Sequence, residues 1–415
     1  MGSKVLYNDR FLVGALGPKT GMLGPIEDGG LIVFNTAPGC WGPMITPRIR
    51  DGHECNIPVA VEGAEVGDSI LIKIKKIAIT SKASSSGTHK FIEERGEKCP
   101  NCGEVWPEVI VEGTGLEAIK CAKCGSPVSP YSVTNGYTMI FDDDRTVGLT
   151  VNSEINDIIS KEASAWGAIP RNSRQVSSLI ANKSDIPGIT SRIIPFMGQL
   201  GTTPSIDIPS TNNSGDSRAF YESREHLTDG HMDIDSVREG SMLVCPVKVP
   251  GGGIYAGDMH AQQGDGEIAG HTTDVSGEVT VEVSVIKNLT LEGPLLFPVD
   301  DDLPPLARPL TEEEKYTLEA YSRKLGIELE CNAPLQVVGS GLSINEAVDD
   351  GLKKASTLFD MPIEEVKNRV TITGGIEIGR LPGLVHITLK VPLTTLEKLG
   401  LADIVKEHAR NASLA

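Results

Sequence analysis

Residues 278–285 read Glu-Val-Thr-Val-Glu-Val-Ser-Val. Strict polar and apolar alternation of this kind suits an extended strand with one face in a core and the other toward water. Valine at every apolar position strengthens that expectation. The stretch Ser-Ile-Leu-Ile-Lys-Ile-Lys-Lys-Ile-Ala-Ile at 69–79 partly repeats the pattern after a Gly67-Asp68 turn, and Gly240-Ser241-Met242-Leu243-Val244 echoes its opening. Gly252-Gly253-Ile254-Tyr255 starts another strand. Gly (45) and Pro (26) punctuate the 415 residues more densely than helical bundles tolerate. The sequence therefore predicts a mixed, β-rich fold with a sandwich or barrel-like core, rather than βαβ units.

The last third changes character. Thr311 with Glu314, and Ser343 with Glu346, are capping-box signatures, and Pro362 suits the first turn of a third helix. A further helix is expected over 155–165. Val370-Thr371-Ile372-Thr373 and residues 384–391 read as strands, giving an α+β C-terminal part. Four regions follow: an N-terminal β region (1–81), a small insertion (82–130), a β-rich core (131–300) and an α/β region (301–415). Ser84-Ser85-Ser86-Gly87 reads as a flexible lead into the insertion, and Thr211 to Asp216 as a loop.

That insertion carries Cys99-Pro-Asn-Cys102 and Cys121-Ala-Lys-Cys124, two knuckles eighteen residues apart. This spacing lets four thiolates surround one structural zinc and organise a ribbon too small to fold on apolar burial alone. Four thiolates close the shell, so the site is expected to brace the fold. The scattered Cys40, Cys55 and Cys245 have no base at recognisable spacing and read as small buried hydrophobes. Lys+Arg 38 against Asp+Glu 56 gives a net charge of −18, which repels phosphate backbones and anionic membranes. In the insertion, Lys90 and Lys98 are interleaved with carboxylates such as Glu104 and Glu108 instead of forming a basic patch. No apolar run reaches eighteen residues. A soluble cytoplasmic protein with no nucleic-acid or membrane partner is expected.

The densest polar cluster is GDMHAQQGDGE at 257–267. Asp258 and His260 at a strand end would share a face and suit a divalent ion. His231-Met232-Asp233-Ile234-Asp235 offers a second alternating polar triplet that could converge with the first. One such cluster would read first as an acidic turn capping backbone amides; two favour a site.

The sequence resembles the acetamidase/formamidase family of metal-dependent amidohydrolases. The resemblance lies in DGHECNIPVAVEGAEVGDSILIKI (51–74), MGQLGTTPS (197–205), the stretch 231–267 and the C-terminal helix-strand unit. It implies a β-rich fold, a homo-oligomer and release of ammonia from short amides. It also implies a catalytic divalent metal, zinc for preference, held by Asp233, Asp258 and His260 with His53 or His231 completing the shell. Glu267 is then the expected general base, with Asp265 orienting it. Two features depart from the family: His231 stands where Gly-Gly-Asn-Met-Asp would place an amide, which makes it an extra ligand or a substrate contact, and the zinc ribbon is an addition. A larger or cyclic amide, a lyase reaction, or a noncatalytic zinc-braced assembly are the alternatives.

Overall fold

The computed structural model describes residues 3–12, 14–39, 53–92, 98–163, 165–166, 179 and 181–412, so Cys40 lies outside the described residues. The chain opens with β1 (Ser3–Asn8), β2 (Leu23–Thr36), β3 (Val59–Val61) and β4 (Ser69–Ile79). An excursion follows, made of β5 (Ala83–Phe91), β6 (Val109–Val111), β7 (Ile119–Cys121), β8 (Tyr131–Phe141), β9 (Val147–Thr150), helix α1 (Ser153–Ala163) and β10 (Thr190–Arg192). The middle of the chain supplies β11 (Phe196–Gly201), β12 (Met242–Pro246), β13 (Tyr255–His260), β14 (Asp274–Val275), β15 (Gly277–Ile286) and β16 (Leu295–Phe297). Last come α2 (Glu312–Leu325), β17 (Asn332–Ser340), α3 (Ile344–Phe359), α4 (Ile363–Thr373), β18 (Gly375–Arg380), β19 (Leu384–Pro392), α5 (Leu393–Lys398) and α6 (Ala402–Ala412).

One ten-stranded sheet runs β1-β2-β15-β4-β12-β16-β17-β19-β18, with β3 added beside β2. Its alternating strand behaves as its sequence requires: Val279, Val281 and Val283 are fully buried while Glu278 is exposed. β4 alternates less because it is central, paired to β15 on one side and β12 on the other. A smaller sheet, β11-β13-β14, stacks on the large one, and Met197, Leu200 and Met259 join Ile32, Phe34, Ile72 and Val281 in one core. The core is thus a sandwich. It is not a barrel, because the large sheet ends in two different edge strands, β1 and β18, with no hydrogen-bonded closure between them.

The other half of the large sheet is covered by helices. α3 buries Ala347, Leu352, Ala355 and Phe359 along one stripe, against Leu335, Val337, Ile387 and Leu389. Ser343 caps α3 by accepting from the Glu346 amide, and Thr311 with Glu314 forms the complete capping box of α2. Two sequence expectations fail here. Val370 to Thr373 form the last turn of α4, because Val366 and Val370, four residues apart, are both drawn into the core and outweigh the β-branched preference. Ser84 to Gly87 lie inside β5, paired to β8, and the serine hydroxyls are satisfied by buried bonds: Ser84 donates to the Asp274 carbonyl at 2.6 Å, and Ser85 Oγ accepts from the Ala181 amide at 2.9 Å. Among the described residues no helix is long and apolar enough to cross a membrane.

On β18, Glu377 faces His386 of β19 at 3.8 Å without a hydrogen bond between them. Burial, then repulsion from Asp235, Asp265 and Asp302, pushes the Glu377 carboxyl from its ordinary 4.5 to about 7. The folded state holds this proton more tightly than the unfolded chain, so the group costs nothing below the unfolded value. The cost grows as pH rises toward about 7, and is constant above it. Glu377→Gln is expected to raise the melting midpoint at pH 8 and to leave it unchanged at pH 4, as thermal scans at the two pH values will show.

Candidate functional site

Two groups of side chains converge in geometries that can hold metal ions. The first is the four-cysteine cluster. Its two knuckles adopt the same turn: the Gly103 amide donates to the Cys99 carbonyl (3.0 Å), as the Gly125 amide does to that of Cys121 (2.8 Å). Both glycines sit at positive φ, 69° and 73°, which few other residues tolerate. The sulfur pairs Cys99/Cys124 and Cys102/Cys121 stand 3.5 and 3.8 Å apart, close to the edge of about 3.8 Å that a tetrahedron of 2.3 Å Zn–S bonds requires. Leu116, Ile119 and Val128 pack beside it.

The second group lies on the face of the small sheet away from the core. β13 delivers Asp258 and His260, and Asp258 is the centre. His53 Nδ1 stands 2.8 Å and His231 Nε2 3.1 Å from its Oδ2, and His260 Nε2 stands 3.0 Å from its Oδ1. His231 Nε2 is also 3.1 Å from Asp233 Oδ2, and His260 Nε2 is 3.2 Å from Asp274 Oδ1. Asp233, Asp258, Asp274, His231 and His260 are all buried. Burial alone would raise the Asp258 carboxyl, but the His53 and His260 charges hold it far below its usual range. Asp233 is likewise held at about 2, against burial, by His231 and Arg380.

Backbone made this packing possible. Asp233 and Asp258 adopt φ of 50° and 52°, and Gly198 on β11 and Gly39 leave room for the carboxylates. A Cβ on Gly198 would fall 2.4 Å from Asp233 Oδ1, and one on Gly39 would fall 1.5 Å from Asp258 Oδ1.

His53, His231, Asp233, Asp258 and His260 are thus brought together. The Asp233 twist also breaks the alternation expected of the 231–235 triplet. Asp235 leaves toward Asp302 and Asp265, and burial followed by those two charges lifts its carboxyl to about 6. Glu267 approaches the cluster: burial, then the nearby Asp233 charge, drives its carboxyl well above the usual range. Asp265 is exposed and faces Asp235 and Glu377 instead. Cys55 and Cys245 are buried, and burial pushes Cys55 up to about 12, so neither is a ready thiolate.

Sequence reasoning missed Asp274 and Arg380. Arg380, at the end of β18, donates to Asp233 Oδ2 at 2.6 Å and forks onto Asp216. Its only local signal was a lone arginine in a Gly-Arg-Leu-Pro-Gly turn.

The donor set suits a divalent cation. His231 Nδ1 donates to the Thr211 carbonyl at 2.8 Å, and its Nε2 stands 3.1 Å from oxygens of both Asp233 and Asp258. Against burial and the Arg380 charge, these two carboxylates raise the ring to about 9, so Nε2 holds a proton between them that a divalent cation would replace. A histidine anchored through its far nitrogen is the usual support of a metal ligand. Asp233 Oδ1, Asp274 Oδ1 and His53 Nδ1 are moreover buried without a hydrogen bond. Both trios, His53/His231/Asp258 and Asp233/Asp258/His260, include Asp258.

Comparison with known proteins gives concordant matches. The profile of the Acetamidase/Formamidase family matches residues 41–228 and 222–398. A Schizosaccharomyces pombe protein bearing a formamidase name is 35% identical over 256 residues, 59% of this chain and 56% of its own. The acetamidase of Mycolicibacterium smegmatis is 26% identical over 246 residues, 57% of this chain and 54% of its own. The matched region thus spans about half the length of these relatives. In fold, the chain is similar to an acetamidase/formamidase from the thermophile Thermoanaerobacter tengcongensis (TM-score 0.55, 17% identity, 96% of this chain and 99% of that one). It is also similar to an acetamidase from Bacillus halodurans (TM-score 0.54, 18% identity, 95% and 99%).

Two outcomes follow for the metal sites. Gly198→Ala is expected to displace Asp233 and abolish any cation binding at the His/Asp cluster while metal bound by the four cysteines stays, as elemental analysis per chain will show. Cys121→Ser is expected to open the segment around residues 98–128 to protease while the unfolding midpoint of the main sheet is retained, which pulse proteolysis and a denaturant titration can compare.

Proposed function

Since this chain belongs to the acetamidase/formamidase family, we propose that it hydrolyses the C–N bond of a small amide to ammonia and a carboxylate, at a divalent cation held by His53, His231, Asp233, Asp258 and His260. The observation that carries this reading is the buried ring of imidazoles around the Asp258 carboxylate, with ring nitrogens 2.8 to 3.1 Å from its oxygens. When bound, such a cation supplies Lewis acidity toward the amide carbonyl and lowers the pKa of water. The protein's own groups supply the rest. Burial and the Asp233 charge hold the Glu267 carboxyl protonated while no cation offsets the surrounding carboxylates; with a cation bound, Glu267 would take a proton from attacking water and hand it to the leaving nitrogen. That transfer is essential because an amide anion does not leave. His53, 12% exposed, is the most open of the imidazoles that touch Asp258 and lies where a small substrate would meet the cluster.

A cavity of about 520 Å³ lined by Tyr137, Met139, Ile189, Gln262 and Thr273 lies beyond the loop that leaves His260; its lining includes neither Glu267 nor any of the five proposed ligands, so its volume does not set the size of the amide. The decisive assay measures ammonia from formamide, acetamide, longer acyl amides and lactams with metal-replete protein. Turnover lost in Asp258→Ala and reduced about 10²–10⁴-fold in Glu267→Gln is the expected result. No ammonia from any amide would sink the reading.

A further inference from the structure

We infer that Arg380 is a positioning residue of the metal centre, tying Asp233 by Oδ2 alone so that Oδ1 is left to face a cation; this rests on the preceding reading only for the presence of that cation. The guanidinium is buried. Its Nε and Nη2 fork onto the two oxygens of Asp216, both at 2.8 Å, Nη2 also donates to Ser214 Oγ at 2.5 Å, and Nη1 donates to Asp233 Oδ2 at 2.6 Å. Asp216 therefore balances the guanidinium charge. Asp233 gains a fixed donor without gaining an uncompensated positive charge beside the place a cation would occupy.

The other oxygen of Asp233 is in the opposite condition: Oδ1 is buried with no hydrogen bond, directed toward the gap that Gly198 leaves. Oδ2 already meets both Arg380 Nη1 at 2.6 Å and His231 Nε2 at 3.1 Å, so Oδ1 is the oxygen left bare to bind a metal. The backbone around Arg380 aligns the neighbouring ligand loop as well. The Gly266 amide donates to the Ile378 carbonyl and the Leu381 amide to the Gly266 carbonyl, each at 3.0 Å, immediately before Glu267. Gln263 Nε2 spans the Asp233 carbonyl (2.8 Å) and the Gly379 carbonyl (2.9 Å). Lysine, a single point charge, cannot reproduce the fork and the third bond together.

The test is a Co²⁺ titration of the full chain, in which thiolate charge-transfer absorption reports the cysteine cluster separately from the nitrogen and oxygen site. Arg380→Lys, Arg380→Met and Asp216→Asn are each expected to weaken the nitrogen/oxygen site by about 10–100-fold, the usual loss for an outer-shell partner, with the thiolate band unchanged. If Arg380→Met fails to fold, seen as loss of the cooperative unfolding transition of the main sheet, the lysine and asparagine variants decide. Wild-type affinity in both would overturn the inference and leave Arg380 a plain structural tie. No Co²⁺ at the wild-type nitrogen/oxygen site would overturn it too, whereas Co²⁺ bound there with no amide hydrolysed would sink only the proposed reaction.

Discussion

A carboxylate withdrawn from water must be met by compensating charge, and Asp258 is 1% exposed at the centre of the small sheet. An uncompensated buried ion costs several kcal/mol, by rough estimate, even after the protein relaxes. Much else in this fold serves that one group. Three imidazoles reach it from three segments, two glycines clear space around it or its neighbour Asp233, and the Thr211 carbonyl anchors the far nitrogen of one of the rings.

The sandwich supplies the rigidity this requires. Met259 points into the apolar core between Asp258 and His260, which the pleat turns the other way. β5 and β8 back the third carboxylate, since Ser84 holds the Asp274 carbonyl and Tyr137 OH stands 3.2 Å from Thr273 Oγ1. The strands that lead to and from the zinc ribbon are therefore also the outer support of β14. The C-terminal unit reaches the site from the far edge of the large sheet, through the Arg380 side chain and the backbone of residues 378–381.

Local features were the legible ones. The alternating valines of β15, the full span of β4 and both helix caps could be read because each is decided by residues close in sequence. Asp258 and His260 stood out for the same reason, two residues apart in a glycine-rich run. Arg380 did not, because its partner Asp233 is 147 residues away and nothing near either residue encodes that meeting. Asp235 was misplaced by backbone. Left-handed φ at Asp233 cannot be foreseen from an aspartate, yet it reverses the side to which the next residues point. Asp229, Asp233, Asp258 and Glu267 all carry positive φ, each a strain on the order of 1–3 kcal/mol that surrounding structure must impose.

The reach of Arg380 across the fold has a bearing on the order of assembly. His53, the 231–233 turn, β13 and the end of β18 are distant in sequence, and contacts of such separation cost loop-closure entropy before they are rewarded. A cation at the proposed centre would meet only separate histidines and carboxylates until β18 had docked. Tight capture would then coincide with closure of that part of the sheet, and metal retention would report that a chain had folded completely.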